Sequence, residues 1–334
     1  MTSNRRDFCR RAAVFSAAAL SSPVAFAARE AVAKDKPALI PIVDTHQHLW
    51  DLKKFRLPWL KTAPDKLKRS YTTKDYLPEI KGLDVASIYM EVNMAPELHD
   101  AEAEHLIRLS KSADHPTAAA VISGRPASDK FGKYIRRYKN TPQIKGIRQV
   151  LHPPETKTGL CLEKQFVSNI QLLGELNMSF DVCIRPTELE DAAKLADLCP
   201  DTRIILDHCG NADPKAFGKK KDANEETWHE EAPWRRGIEA LSKRKNVICK
   251  ISGVVARARE SGWSADDLAP IVNHCLDAFS PDRVVFGSDW PVCLLRASLR
   301  EWVDALTEII ANRSQADREK LWNGNARRHY SLTT

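Results

Sequence analysis

Ile42-Val43-Asp44-Thr45-His46-Gln47-His48-Leu49-Trp50 is the stretch from which the rest of the chain can be read. A short β-branched run ends in two histidines two residues apart. Alternate side chains of a strand share a face, so both imidazoles project together from the strand's carboxyl end. Two imidazoles so placed suit either of two tasks, holding a divalent cation or polarising a substrate carbonyl. The pair alone leaves both open, beside a purely structural role.

Outward from this stretch, short apolar runs alternate with longer amphipathic segments. Strands are predicted at 42–46, 85–92, 117–123, 144–149, 179–184, 203–207, 247–252 and 283–287, each largely apolar, as strands covered on both faces are. Helices are predicted at 97–112, 162–176, 188–198, 232–242, 265–279 and 299–311, with N-caps at Thr187 and Ser264 and a closing helix at 318–330. Eight strands alternating with helices predict an α/β fold, a (β/α)8 TIM barrel forming one domain over residues 41–331. An open doubly wound sheet is the other arrangement of such units, but no Gly-x-Gly-x-x-Gly follows the first strand. The connections 49–74 and 211–231 are too long for simple turns. As βα-loops after strands 1 and 6 they belong at the catalytic face, as walls or lids.

The amino terminus reads as an address. Asn4-Arg5-Arg6-Asp7-Phe8 resembles the twin-arginine export motif, an apolar run from Ala12 to Leu20 follows, and Ala25-Phe26-Ala27 offers a cleavage site. Residues 1–27 are thus expected to be a signal peptide handled transiently by the twin-arginine machinery, with 28–40 a linker and the periplasm the destination. The apolar run is too short to be a stable membrane anchor. Removing 1–27 takes four arginines and one aspartate from the formal +7, leaving +4, too little and too dispersed to imply nucleic acid. Lys219-Lys220-Lys221 is answered by Asp222, Glu225, Glu226, Glu230 and Glu231, which reads as a solvated loop. Eight cysteines without a Cys-x-x-Cys pair predict neither a zinc finger nor a redox motif, and no essential disulfide. Nothing in the sequence specifies an oligomeric state.

A barrel makes a sharp demand, that reactive side chains sit at the carboxyl ends of its strands. Those ends carry His46 and His48, Glu91 and Asn93, Arg125, Arg148 with His152 beyond, Arg185, His208, Lys250 with Ser252, and Asp289. Packing alone does not explain polar residues at nearly every such end. Each has a plainer alternative: His208 bonded to a backbone carbonyl, Asp289 capping the helix that Pro291 would open, the cations in structural ion pairs.

Taken together, Asp44-Thr45-His46-Gln47-His48-Leu49-Trp50-Asp51, Ile205-Leu206-Asp207-His208 with Gly210-Asn211, Lys250-Ile251-Ser252-Gly253 and Phe286-Gly287-Ser288-Asp289-Trp290-Pro291 resemble the amidohydrolase superfamily. Within it they resemble the amidohydrolase-2-type lactonases that act on sugar-acid lactones and 2-pyrone-4,6-dicarboxylate. Gly146-Ile147-Arg148 and the closing Gly324-Asn325-Ala326-Arg327-Arg328-His329-Tyr330 fit the same pattern. The resemblance implies that Asp289 is the general base for a water, with His46, His48 and His208 around the scissile carbonyl oxygen, directly or through a metal. Arg148, Arg185 and Lys250 would bind hydroxyls or carboxylates of the substrate.

Relatives that hold one metal generally take a further histidine from the end of strand 5, and Phe180-Asp181-Val182-Cys183-Ile184-Arg185-Pro186 has none. The reading therefore leans towards no required cofactor. One divalent cation, zinc or manganese, is the alternative, held by His46, His48, His208 and Asp289, with Glu91 within reach. The expected function is an exported hydrolase that opens a lactone by direct attack of an activated water; no Gly-x-Ser-x-Gly elbow suggests a serine nucleophile. A metal-dependent decarboxylase on the same scaffold and a non-catalytic ligand-binding barrel are the competing readings.

Overall fold

The computed structural model describes residues 40–112, 114–217 and 226–332. The expected signal peptide, nearly all of the linker and the lysine run at 219–221 lie outside the described residues. Strands β1 (Ile42–Gln47), β2 (Val85–Met90), β3 (Thr117–Ser123), β4 (Ile144–Val150), β5 (Ser179–Cys183), β6 (Arg203–Leu206), β7 (Val247–Ile251) and β8 (Val284–Phe286) lie side by side in chain order, every neighbouring pair parallel. The sheet curls until its first strand meets the segment after its last. Thr45 Oγ1 donates to the Phe286 carbonyl at 2.6 Å, Asp289 N to the His46 carbonyl at 2.9 Å, and His48 N to the Trp290 carbonyl at 2.7 Å. This is the predicted (β/α)8 barrel.

Helices α1 (Thr73–Glu79), α2 (His99–Leu109), α3 (Phe131–Arg136), α4 (Lys164–Glu175), α5 (Leu189–Leu198), α6 (Glu231–Ser242), α7 (Ala265–Phe279) and α8 (Leu299–Ile309) follow the strands in turn. Two of them, α1 and α3, are absent from the sequence prediction. Pro78 interrupts the first and Gly132 the second, and each is too short to show a helical period. Ser264 caps α7 as expected, in a capping box with Asp267. Thr187 does not cap α5. Pro186 opens a 3₁₀ turn over Pro186–Glu188, and the helix starts one residue later than expected, after Glu188.

Two apolar layers hold the barrel. The larger lies between strands and helices and includes Phe166, Phe180, Ile204, Leu268 and Trp302. The smaller fills the barrel itself, where Val43, Ile88, Val121, Ile205 and Val285 meet Ala326 and Tyr330 from the carboxyl-terminal segment. That segment, predicted as one helix over 318–330, is helical over 315–329 with a π turn at Lys320–Gly324 inside it. It plugs the amino-terminal end of the barrel and leaves the carboxyl ends of the strands as the open mouth. No described helix is long and apolar enough to cross a membrane.

Candidate active site

β1 aims its histidines with an irregularity. Its register with β2 slips between Asp44 and Gln47, so the strand takes up an extra residue where it reaches the mouth. Such a bulge redirects the side chains beside it. The rings of His46 and His48 lie edge to face, with centroids 4.8 Å apart. Asp44 fixes this corner to the segment after β8, across the seam that closes the barrel. Its carboxylate accepts from Ser288 N at 2.7 Å, Ser288 Oγ at 2.6 Å and the Tyr76 hydroxyl at 2.8 Å. Ser288 delivers Asp289, whose φ of 57° turns the chain back towards β1.

His208 arrives on an unusual turn. His208, Cys209, Gly210 and Asn211 all have positive φ, 54°, 51°, 69° and 56°, making one turn of left-handed helix. For L residues this costs about 1–2 kcal/mol each, and such strain persists where packing over-determines it. Gly253 makes room for the ring, since a Cβ there would lie 2.4 Å from His208 Nδ1. Ser252 Oγ sits 2.9 Å from the same nitrogen.

Three Nε2 atoms now surround one carboxylate oxygen. Asp289 Oδ1 is 3.4 Å from His48 Nε2, 3.8 Å from His46 Nε2 and 4.0 Å from His208 Nε2. Burial pushes the Asp289 carboxyl up, but the charge of His208 and the neighbouring His48 outweigh it and hold the group below its ordinary value. His46 is fully buried, and burial together with the Lys250 charge drives its pKa well down, so the ring is neutral. His46 lies between two donors, with Arg148 Nη1 3.1 Å from its Nε2 and Lys250 Nζ 3.1 Å from its Nδ1, and Asp207 Oδ1 stands 3.4 Å from Nδ1. His48 is fixed differently. Its Nδ1 donates to the Met90 carbonyl at 2.9 Å, so a neutral ring turns its Nε2 lone pair towards Asp289.

A lone pair and a carboxylate facing each other call for a proton or a cation between them. The ligand atoms of His46, His48 and Asp289 all lie within 4.8 Å of one another, and imidazole with carboxylate is a donor set suited to zinc. These residues fit a divalent cation. The leaning towards a metal-free site rested on the missing strand-5 histidine. Cys183, at the end of β5, stands on the cavity wall, and His208 Nε2, 4.0 Å from Asp289 Oδ1, lies beside the His46–His48–Asp289 group and outside it.

The four residues expected to be catalytic therefore come together, but those expected to bind substrate divide. Arg148 lines the cavity, tied by Nε to Glu91 Oε1 at 2.7 Å and by Nη2 to the Glu91 carbonyl at 2.6 Å. Glu91 is consequently the anchor of Arg148 and lies outside the ligand cluster. Lys250 does not reach the cavity. It is fully buried beneath His46, with Nζ 2.7 Å from Asp181 Oδ2 and 3.0 Å from Asp207 Oδ1. Burial disfavours its ammonium, and these two carboxylates outweigh that and keep it charged. Arg185 faces away from the cavity and clasps the loop beyond β4 through the Pro153 and Thr156 carbonyls and Glu188.

Sequence reasoning missed Asp44, Asp181 and Asp207. Two of them directly precede or nearly precede a histidine of the site, which was the available signal. It also missed Arg257, which lines the cavity with its guanidinium carbon 3.7 Å from the centroid of the Trp228 ring. The cavity measures about 370 Å³. Trp50, Trp59 and Leu67 from the loop after β1 form one wall, as expected of that loop.

The chain matches the family described as Amidohydrolase over residues 43–332. It is 28% identical over 296 residues to an L-fucono-1,5-lactonase of Burkholderia multivorans, spanning 87% of this chain and 96% of that protein. A crystal structure of an amidohydrolase from Burkholderia multivorans with bound zinc superposes with a TM-score of 0.73 at 28% identity, covering 88% of this chain and all of that one. A 4-sulfomuconolactone hydrolase of Rhizobium radiobacter is 28% identical over 153 residues, 45% of each chain.

Proposed function

The chain belongs to the amidohydrolase family, and on that premise we propose that it is a hydrolase of carboxylic esters that opens a lactone ring by direct attack of an activated water. The observation that carries this reading is the convergence of three histidine Nε2 atoms on the ionised Asp289 carboxylate, at the wall of a cavity sized for a small ring. Likeness to an L-fucono-1,5-lactonase supports a sugar-acid lactone as substrate, with pyrone-type lactones the second class.

Asp289 Oδ1 takes a proton from water as the water oxygen bonds to the lactone carbonyl carbon. Arg148, permanently charged and held in place by Glu91, puts positive charge beside the histidines where the oxyanion develops. The ring C–O bond then breaks, and the proton on Asp289 passes to the departing alkoxide. The product is a hydroxy acid that ionises to solvent. Ser252 is fully buried and does not line the cavity, which supports water over serine as the nucleophile. His46, His48 and Asp289, with His208 beside them, are the residues that would hold a divalent cation, zinc or manganese, which when bound supplies Lewis-acid polarisation of the carbonyl.

A pH-indicator screen of aldonolactones and pyrone lactones, with and without chelator, tests both parts. Acid release from a lactone is the expected result, and chelation should slow it. No turnover of any lactone, with carbon dioxide released from aromatic acids instead, would sink the hydrolase reading. We also read residues 1–27 as a twin-arginine signal for the periplasm, supported by Arg5-Arg6 and the apolar run behind them. Mature protein that retains these residues would count against it.

A further inference from the structure

The barrel has a second cavity, of about 370 Å³, at the end opposite the mouth. It is walled by residues that precede strands, Lys139 to Lys145 before and at the start of β4, Leu176 to Met178 before β5, and Arg203 at the start of β6, with Tyr330 and Ser331 from the plug. Three of its lining residues are cationic, Lys139, Lys145 and Arg203, and none is acidic.

Arg203 is the anomaly. Among the described residues no carboxylate pairs with its guanidinium, and its Nε is buried with no acceptor. Arg283, just before β8 at the same end of the barrel, shows what a structural arginine does there. It donates to the carbonyls of Arg244, Val247 and Ser242 at 2.9, 3.1 and 2.8 Å. Arg203 has no such set. Asp181 is the one carboxylate in its electrostatic surroundings, and that group already accepts from Lys250 and from the Tyr330 hydroxyl. Lys145 adds to the imbalance. Its Nζ donates to the Ser331 carbonyl at 3.0 Å, and burial with the adjacent Arg203 charge pushes its pKa down. Like charges side by side with no acid in the wall are unfavourable, and an anion between them relieves the repulsion.

We propose that this cavity is a second binding site, for a small molecule carrying a carboxylate or phosphate group held by Arg203 with Lys145. The planar guanidinium fork matches two oxygens of either group, while the ammonium supplies a point charge. Asn140, Thr141 and Asn177 line the same cavity and offer neutral hydrogen bonds. The site is separate from the mouth and does not depend on which reaction occurs there.

Calorimetric titration of the full chain with inorganic phosphate, then with succinate, at ionic strength held constant with sodium chloride, tests this. One site per chain is expected, and Arg203→Gln should weaken phosphate binding at least tenfold. Phosphate can also enter the catalytic cavity, so Arg257→Leu is titrated in parallel and should leave this site intact. Succinate displacing phosphate identifies the shared oxyanion chemistry, and binding of phosphate alone narrows the ligand to phosphate compounds. Should Arg203→Gln fail to fold, Lys145→Met carries the same expectation. Absence of binding at millimolar phosphate would overturn the proposal, as would binding that survives the changes at Arg203 and Lys145 or is lost with Arg257→Leu.

Discussion

At the mouth of the barrel Asp289 faces three imidazoles across 3.4 to 4.0 Å, and space between them stays open to the cavity. One layer down, Asp181 and Asp207 close on Lys250 at 2.7 and 3.0 Å, and Tyr330 seals Asp181 from below at 3.2 Å. Both layers are buried and both are built of acids and bases. Burial and residue type therefore do not separate a reactive group from a structural one. What separates them is whether a lone pair is left facing the cavity. The upper layer retains such atoms, and the lower layer uses its charge to hold His46 neutral and oriented.

The sharpest way to break this contrast is Asp289→Asn. The change removes the base while keeping shape, and turnover should fall by roughly 10²–10⁴-fold or more with the unfolding midpoint nearly unchanged. An active Asn variant would place the base elsewhere. Lys250→Met should act on the fold first. It strands two buried carboxylates, at a cost of about 3–5 kcal/mol, read by urea unfolding. If stability were kept and only catalysis lost, the lower layer would belong to the reaction.

Gly253→Ala sharpens the boundary between the layers. The new methyl would collide with His208 at a residue whose φ is 69°, so the ring must move. Turnover should drop on the order of 10²-fold while circular dichroism stays that of the parent. A smaller effect concerns Glu102, buried behind Glu91, whose carboxyl is pushed up to about 7 by burial and then by the Glu91 charge. Its folded pKa exceeds the unfolded value, so its stabilising protonated state is fully present below pH 4.5 and lost as pH rises through 7. Stability should fall by roughly 1.4 kcal/mol per pH unit across that window, and Glu102→Gln should flatten the slope. Last, Arg185→Gln should leave KM within about twofold and lower stability by about 1 kcal/mol, since the side chain holds a loop. A large rise in KM would return Arg185 to the cavity.

The barrel was readable because its strands are covered on both faces and stand out as apolar runs, all eight within a few residues of their observed bounds. The four converging residues were readable for a related reason, because a barrel brings strand ends together whatever lies between them. The partnering of charges was not. Lys250 and Asp181 sit on strands separated by β6, and only the curvature of the closed sheet brings them to 2.7 Å. Arg257 was hidden differently, on a 3₁₀ turn at Val255–Arg257 several residues beyond the strand end.

The seam between β1 and the segment after β8 has a consequence for how the chain is made. Asp44 and Ser288, which lock that seam, are 244 residues apart. Until the last strand leaves the ribosome, β1 presents an unpaired edge and its histidines lack Asp289. Contacts this distant in sequence form late and slowly. An exposed parallel edge in the interim invites pairing with another chain. Synthesis of this protein thus contains a window in which nearly the whole barrel exists without its site, and folding yield should depend on how quickly the final strand and the plug behind it arrive.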